Sequence, residues 1–212
     1  AVAALALSSA TAMAAPLYEY SINNPAGSDG AGDITNVTTS YDAGTSNFSW
    51  SYTIDDVAGS YSDAFWLVVS DGPNPKGIAG QLAILYGDVA TNTLTAYEYN
   101  GVNGNNSYAN PANLLASWSG ALDVSLSGGL QTVSFDIDVA GVNSAPLGAD
   151  WEGIQFGEKV GIWFHPSLNS SIQYGENDQI TSYRFGGQGW YDTKDRITTV
   201  SVPEPATLSL LG

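Results

Sequence analysis

The side chains able to do chemistry are few, and their types narrow what that chemistry could be. There is one histidine, His165, and no cysteine, while 21 Asp and Glu stand against five Lys and Arg. A serine nucleophile would have to draw on His165, and no Gly-x-Ser-x-Gly elbow exists to present one. His165 stands before Pro166 at the end of a β-rich run and reads as a strand-end imidazole with no special role. A single His and no Cys also exclude multi-His and thiolate metal sites. Paired carboxylates are the remaining route to catalysis. Glycoside hydrolysis needs two acids about 5–5.5 Å apart for retention, or about 6.5–9.5 Å for inversion. Asp136 and Asp138 would share one face of a strand, but Gly141, three residues on, supplies no further acid. The polar face of a solvated strand explains that pair more simply.

Binding chemistry is better supplied. Calcium takes oxygen ligands from loops, and Glu98, Asn100, Asn103 and Asn105, interleaved with Gly101 and Gly104, offer such oxygens. The turns Asp29-Gly-Ala-Gly-Asp33 and Asp71-Gly-Pro-Asn74 are also rich in oxygen ligands. The same Asn and Gly residues are ordinary turn formers. Sugars stack on open aromatic rings and hydrogen-bond to amides and carboxylates, and the chain has six Trp and twelve Tyr. Trp50, Trp66 and Trp163 lie inside β-rich runs and are expected in the core. Trp118, Trp151, Trp190 and Tyr191 lie near turns or strand ends and are the candidate glycan-binding rings. Trp190 and Tyr191 are the best placed, because Gly186, Gly187 and Gly189 flank them. The alternative is that these rings fold over the edge of the domain.

Charge and composition set the class of partner. The formal charge is −16 and the pI near 4.1, with only 12% charged residues. Without clustered Lys and Arg the chain has no sequence-independent grip on nucleic acid phosphate or on anionic lipid. The surface must instead be made of Ser, Thr, Asn and Gly, with acids among them.

The elements that must position these groups read as antiparallel β throughout. Runs rich in β-branched and aromatic residues recur between Gly, Asn, Asp and Pro punctuation at Ile34–Tyr41, Asn47–Ile54, Ala64–Ser70, Gln81–Tyr86, Thr93–Asn100, Leu114–Trp118, Gln131–Val139, Val160–His165 and Ile180–Phe185. In Phe48–Ile54 and Val133–Val139 every second residue is apolar, as in a strand with one wet face. Ala64–Val69 and Leu82–Tyr86 are continuously apolar and fit central strands covered on both faces. About nine strands in one domain predict an all-β, antiparallel two-sheet β-sandwich, with a closed barrel as the alternative. The succession Asp63–Lys76, Gly80–Tyr86, Leu94–Asn100, together with Lys159–Phe164 and Ile180–Phe185, resembles the concanavalin or legume-lectin-like jelly roll. That resemblance implies a calcium and transition-metal pair, with Glu98 at the family's acidic ligand and Asn100 at its bridging Asp, so one charge is lost. His165 does not match the family's metal histidine. The related laminarinase-like hydrolases carry Glu-x-Asp-x-x-Glu on one strand. Glu98-Tyr99-Asn100 begins like that motif, but Asn100 replaces its Asp and Asn103 its second Glu.

Both ends read as addresses. Residues 1–14 are uncharged, small or aliphatic, and close on Ala12-Met13-Ala14, the small-x-small cleavage pattern of a secretory signal peptide. A cut after Ala14 leaves Ala15-Pro16, and a cut after Ala15 would place Pro16 at the scissile bond. No basic stretch or initiating Met precedes the segment, so the leader is expected to lack its start. At the other end, Pro203-Glu204-Pro205-Ala206-Thr207-Leu208-Ser209-Leu210-Leu211-Gly212 resembles the opening of the PEP-CTERM sorting signal. The resemblance implies a membrane helix and Arg cluster beyond it, an exosortase-type sorting protease as partner, and a Gram-negative, biofilm-forming setting. The expected organisation is a leader over residues 1–14, one β-sandwich domain over 15–202 and a sorting signal over 203–212. The expected function is a non-catalytic cell-surface or extracellular-matrix protein that binds extracellular polysaccharide, with calcium as the one candidate cofactor. The alternatives are a glycan-active hydrolase and a protein-binding adhesin.

Overall fold

A computed structural model describes residues 17–23, 30–70, 83–99, 101, 106–145, 151–156, 161–192 and 200–201. Its strands are β1 (Leu17–Asn23), β2 (Ile34–Asp42), β3 (Asn47–Asp55), β4 (Ala64–Ser70), β5 (Ala83–Asp88), β6 (Thr93–Glu98), β7 (Leu114–Ser119), β8 (Asp123–Ser127), β9 (Leu130–Asp138), β10 (Gly161–Leu168), β11 (Ser171–Tyr174) and β12 (Ile180–Arg184). Three two-residue strands follow: β13 (Gly187–Gln188), β14 (Tyr191–Asp192) and β15 (Val200–Ser201). The only α-helix among the described residues is α1 (Val139–Asn143), so no described helix is long and apolar enough to cross a membrane.

These strands form the expected antiparallel sandwich. One sheet runs β15-β1-β2-β3-β9-β8 and the other β13-β10-β4-β5-β6-β7, with β14 also on β10 and a separate β11–β12 hairpin. All nine expected runs are strands. Among the described residues there are twelve strands of four or more residues rather than nine, the additions being β1, β8 and β11. The connections β3–β4 and β9–β10 leave neighbouring strands of the first sheet and arrive at neighbouring strands of the second, and β7–β8 crosses back between the sheets.

Alternation in β3 and β9 becomes burial. Phe48, Trp50, Tyr52 and Ile54 of β3 and Val133, Phe135 and Ile137 of β9 point into the core, which they share with Phe65, Leu67, Leu85 and Phe164 of the second sheet. Rings interlock across the gap, with Trp50 5.1 Å and Tyr52 4.7 Å from Phe164 between centroids. Each such side chain contributes about 1.5–3 kcal/mol through burial. The opposite face of the first sheet carries small polar groups in register: Thr38, Ser51, Ser134 and Asp123 across one row, Ser40, Ser49 and Asp136 across another. Thr53 and Thr132 hydrogen-bond across strands at 2.9 Å. This face is the Ser/Thr coat that the composition implied.

β4 and β5 do not alternate because the second sheet is covered twice. Its inner face meets the first sheet. Its outer face, with Trp66, Val68, Ile84, Tyr86 and Tyr97, is covered by Ile180 and Tyr183 of the β12 region and by Tyr108.

Candidate functional site

The outer face of the second sheet gathers most of the chain's unusual chemistry. At one end, Trp66 of β4 and His165 of β10 are cross-strand partners, and their rings stack at 4.1 Å and 20°. Trp163 meets Trp66 edge-on at 4.6 Å and His165 at 5.3 Å, and Tyr99 lies 6.4 Å from Trp163. Trp66 and Tyr99 are buried, while Trp163 and His165 are half-buried.

His165 is not at a strand end, as the sequence suggested. β10 continues through Pro166 to Leu168. The Pro166 carbonyl accepts from the Gly189 N–H at 2.9 Å, so its backbone faces the edge where β13 and β14 are interrupted and not β4. A proline, with no N–H to give, is tolerated at such a gap.

Under the hairpin lies a polar network built on two carboxylates that sequence spacing did not reveal. Asp63, just before β4, takes the Ser170 N–H on both oxygens at 3.1 and 3.0 Å. Asp88, buried at the end of β5, accepts from the Thr91 N–H at 3.2 Å and the Tyr174 hydroxyl at 3.2 Å. Tyr183 and Ser167 share a 2.6 Å hydroxyl–hydroxyl bond, and Tyr52 lies 3.4 Å from Ser62. Burial pushes the Tyr52, Tyr174 and Tyr183 hydroxyls well above the ordinary phenol range. The acids are occupied in clamping β11 and the β10–β11 turn onto the sheet. Their position, each beside a β-rich run, was the only sequence signal, and it is shared by many surface acids.

The expected site residues separate. Trp151 is 3% exposed in the main core, so it offers no ring to a ligand, in contrast to its assignment from a nearby turn. Trp118 packs half-buried against the same core. Trp190 is 42% exposed. Tyr191 pairs through its backbone with Phe164, and its side chain lies outside the described residues. Glu98 ends β6 and accepts from the Asn113 amide at 3.0 Å. Asn100, Asn103 and Asn105 lie outside the described residues, as do Ala12, Ala14, Ala15, Pro203, Glu204 and Pro205. Among the described residues no three His, Asp or Glu side chains gather to hold a metal.

Asp136 sits exposed on the outer face of the first sheet, bonded to the Ser49 hydroxyl and to the Asn47 amide at 3.2 Å. Asp138 caps α1 through the Ala140 N–H at 3.0 Å. Glu98 and Asp136 therefore belong to different sheets, and Asp136 faces away from the other one. They do not form a catalytic pair.

No protein-family model matches the chain, and no curated protein does. A solved structure from work on pH-induced modulation of Streptococcus parasanguinis adhesion by Fap1 fimbriae aligns with 83% of this chain and 94% of its own, at 12% identity and a TM-score of 0.25. Likeness at that level carries no argument.

Proposed function

We propose that this chain is an exported, non-catalytic component of a cell surface or extracellular matrix, and that it binds polysaccharide at the Trp190 flank of the second sheet. The observation that carries the reading is the openness of Trp190. Of the candidate rings whose side chains are described, Trp151 is in the core and Trp118 packs against it, whereas Trp190 is 42% exposed. It follows Gly189 beside β13, whose backbone packs against Gly30, while the neighbouring Gln188 amide donates to the Ser167 hydroxyl at 3.5 Å. An open indole offers a pyranose ring the apolar surface on which its C–H face stacks. The −16 charge repels anionic polymers, so the ligand is a neutral or amine-bearing glycan.

The sorting motif Pro203-Glu204-Pro205 supports delivery through an exosortase-type protease to the surface of a Gram-negative cell. Binding to a glycan array, lost in Trp190→Ala with the melting temperature unchanged, tests the ligand assignment. An array with no bound neutral or amine-bearing glycan refutes it. Mass spectrometry of the chain co-expressed with an exosortase tests the sorting assignment, with cleavage expected beside Pro203-Glu204-Pro205. An intact C-terminus there would refute it.

A further inference from the structure

We infer that β8 is a self-pairing edge through which two copies of this chain join their first sheets into one. β8 is the terminal strand of its sheet, pairs only with β9 among the described residues, and is exposed at all five positions. Edge strands of this kind are normally blunted by Lys, Pro, a bulge or shortness. Most other described edges follow that rule: β13, β14 and β15 are two residues long, β7 shifts register against β6 at Ala96/Tyr97, and the β11–β12 hairpin shifts at Gln173/Tyr174. Glu19–Asn23 of β1, beyond the two residues that β15 covers, is the other unblunted stretch. β8, Asp-Val-Ser-Leu-Ser, is longer than those two-residue strands, carries no Lys or Pro, and has an unbroken register with β9; its one charge, Asp123, sits at its first residue.

The backbone of β8 points its free groups outward at specific residues. Gly128 and Gly129, at φ of +62° and +81°, form a two-residue turn that closes on the pair Ser127–Leu130. Such a closing pair is hydrogen-bonded, and the pattern alternates from there. Ser127, Ser125 and Asp123 thus spend their backbone groups on β9, while Val124 and Leu126 turn theirs to the open edge. Their side chains are also open, at 42% and 61% exposure, although they share a face with the buried Val133 and Gln131.

A second copy fits this edge because the strand complements itself. Antiparallel pairing centred on Ser125 sets Val124 opposite Leu126 of the second copy, and the reverse, so two hydrogen-bonded pairs form and both apolar side chains are covered. Asp123 falls opposite a serine, Ser127, so no like charges meet directly. The outer faces of the two first sheets lie on one side. β8 follows β7 directly, and β7 is at the opposite end of the second sheet from β13, so both Trp190 flanks stay free. Any avidity gain for a glycan that spans both Trp190 flanks rests on the reading above, whereas the pairing itself does not. A contact of one strand is small, and each copy carries −16. The dimer therefore dissociates on dilution and strengthens as salt screens the repulsion.

The chain has no cysteine, which allows a register-specific test. Ser125 of each copy would form a non-hydrogen-bonded pair with Cα atoms about 4.5 Å apart, within reach of a disulfide. Under mild oxidation the full chain carrying Ser125→Cys is expected to give a covalent dimer at twice 22.1 kDa, and Ser127→Cys to stay at 22.1 kDa. Cross-linking at both positions, at 127 alone or at neither overturns the proposal. In light scattering at high concentration, Leu126→Lys is expected to convert the dimer to monomer with unchanged melting. A dimer that persists in that variant also overturns it.

Discussion

Gly87→Ala tests the packing of the sandwich at its tightest point. Gly87 of β5 lies opposite Phe65 of β4, and a Cβ there would overlap Cε1 and Cζ of the Phe65 ring and lie 2.7 Å from Cδ1. Real Cβ contacts do not come closer than 3.0 Å. The ring has nowhere to go. Phe65 is fully buried, stacked on Phe135 at 6.1 Å and 5°, with Tyr52 at 5.6 Å and Phe164 at 6.0 Å.

Overpacking of this kind costs about 1–3 kcal/mol, and three ring atoms in conflict place it at the upper end. Loss of glycine's freedom in the unfolded chain returns up to about 1 kcal/mol. The net is about 2 kcal/mol, equivalent to a fall in Tm of about 4–8 °C for a domain of this size. Urea unfolding followed by Trp fluorescence measures it. The decisive form is a cycle with Phe65→Ala, which alone costs about 3–5 kcal/mol. With the ring removed, the methyl added by Gly87→Ala fills space instead of clashing, so the two changes couple by about 2 kcal/mol or more. Additive effects, or a Gly87→Ala cost below about 0.5 kcal/mol, would refute the β4–β5 register and the packing built on it.

Alkaline pH should unfold the domain cooperatively. Burial raises the Tyr97 hydroxyl to about 12 and those of Tyr52, Tyr86, Tyr174 and Tyr183 further. The folded state thus keeps protons that the unfolded chain releases near pH 10, and stability falls by about 1.4 kcal/mol per pH unit per tyrosine above that point. Tyrosinate absorbance and loss of sheet circular dichroism should rise together, and five phenols titrating near pH 10 with the sheet intact would contradict the burial. Asp63→Ala removes the acceptor that both its oxygens give to the Ser170 N–H. Amide exchange should then quicken across Ser171–Arg184 by the equivalent of about 1–3 kcal/mol while β3 and β9 stay protected. Unchanged exchange in the hairpin would show that Asp63 does not clamp it.

The main sheets were legible where side-chain period and burial agree. β3 and β9 alternate in sequence and in burial, and the unbroken apolar runs of β4 and β5 correctly implied cover on both faces. What was missed failed for identifiable reasons. β8 alternates Val124 and Leu126 with polar residues and leads into a Gly-Gly hairpin with β9, so its signal was present, but five residues are too few to stand out without that pairing. Pro166 looked like a strand terminus because its tolerance depends on a gap between β13 and β14, which lies in tertiary structure. The site was less legible than the fold. Nearness to a turn suggested that Trp151 was open, but the turn folds its ring into the core. Asp63 and Asp88 meet the hairpin only after distant segments assemble, and no local spacing announces them.

We propose above that this acidic sandwich binds a neutral or amine-bearing polysaccharide through Trp190. Calorimetric titration of the chain and of Trp190→Ala with the best-bound array glycan tests it most directly. Truncating a central aromatic anchor costs on the order of 2 kcal/mol, so about thirty-fold weaker binding is expected, with the melting temperature unchanged. Equal affinity in the two proteins would contradict the claim.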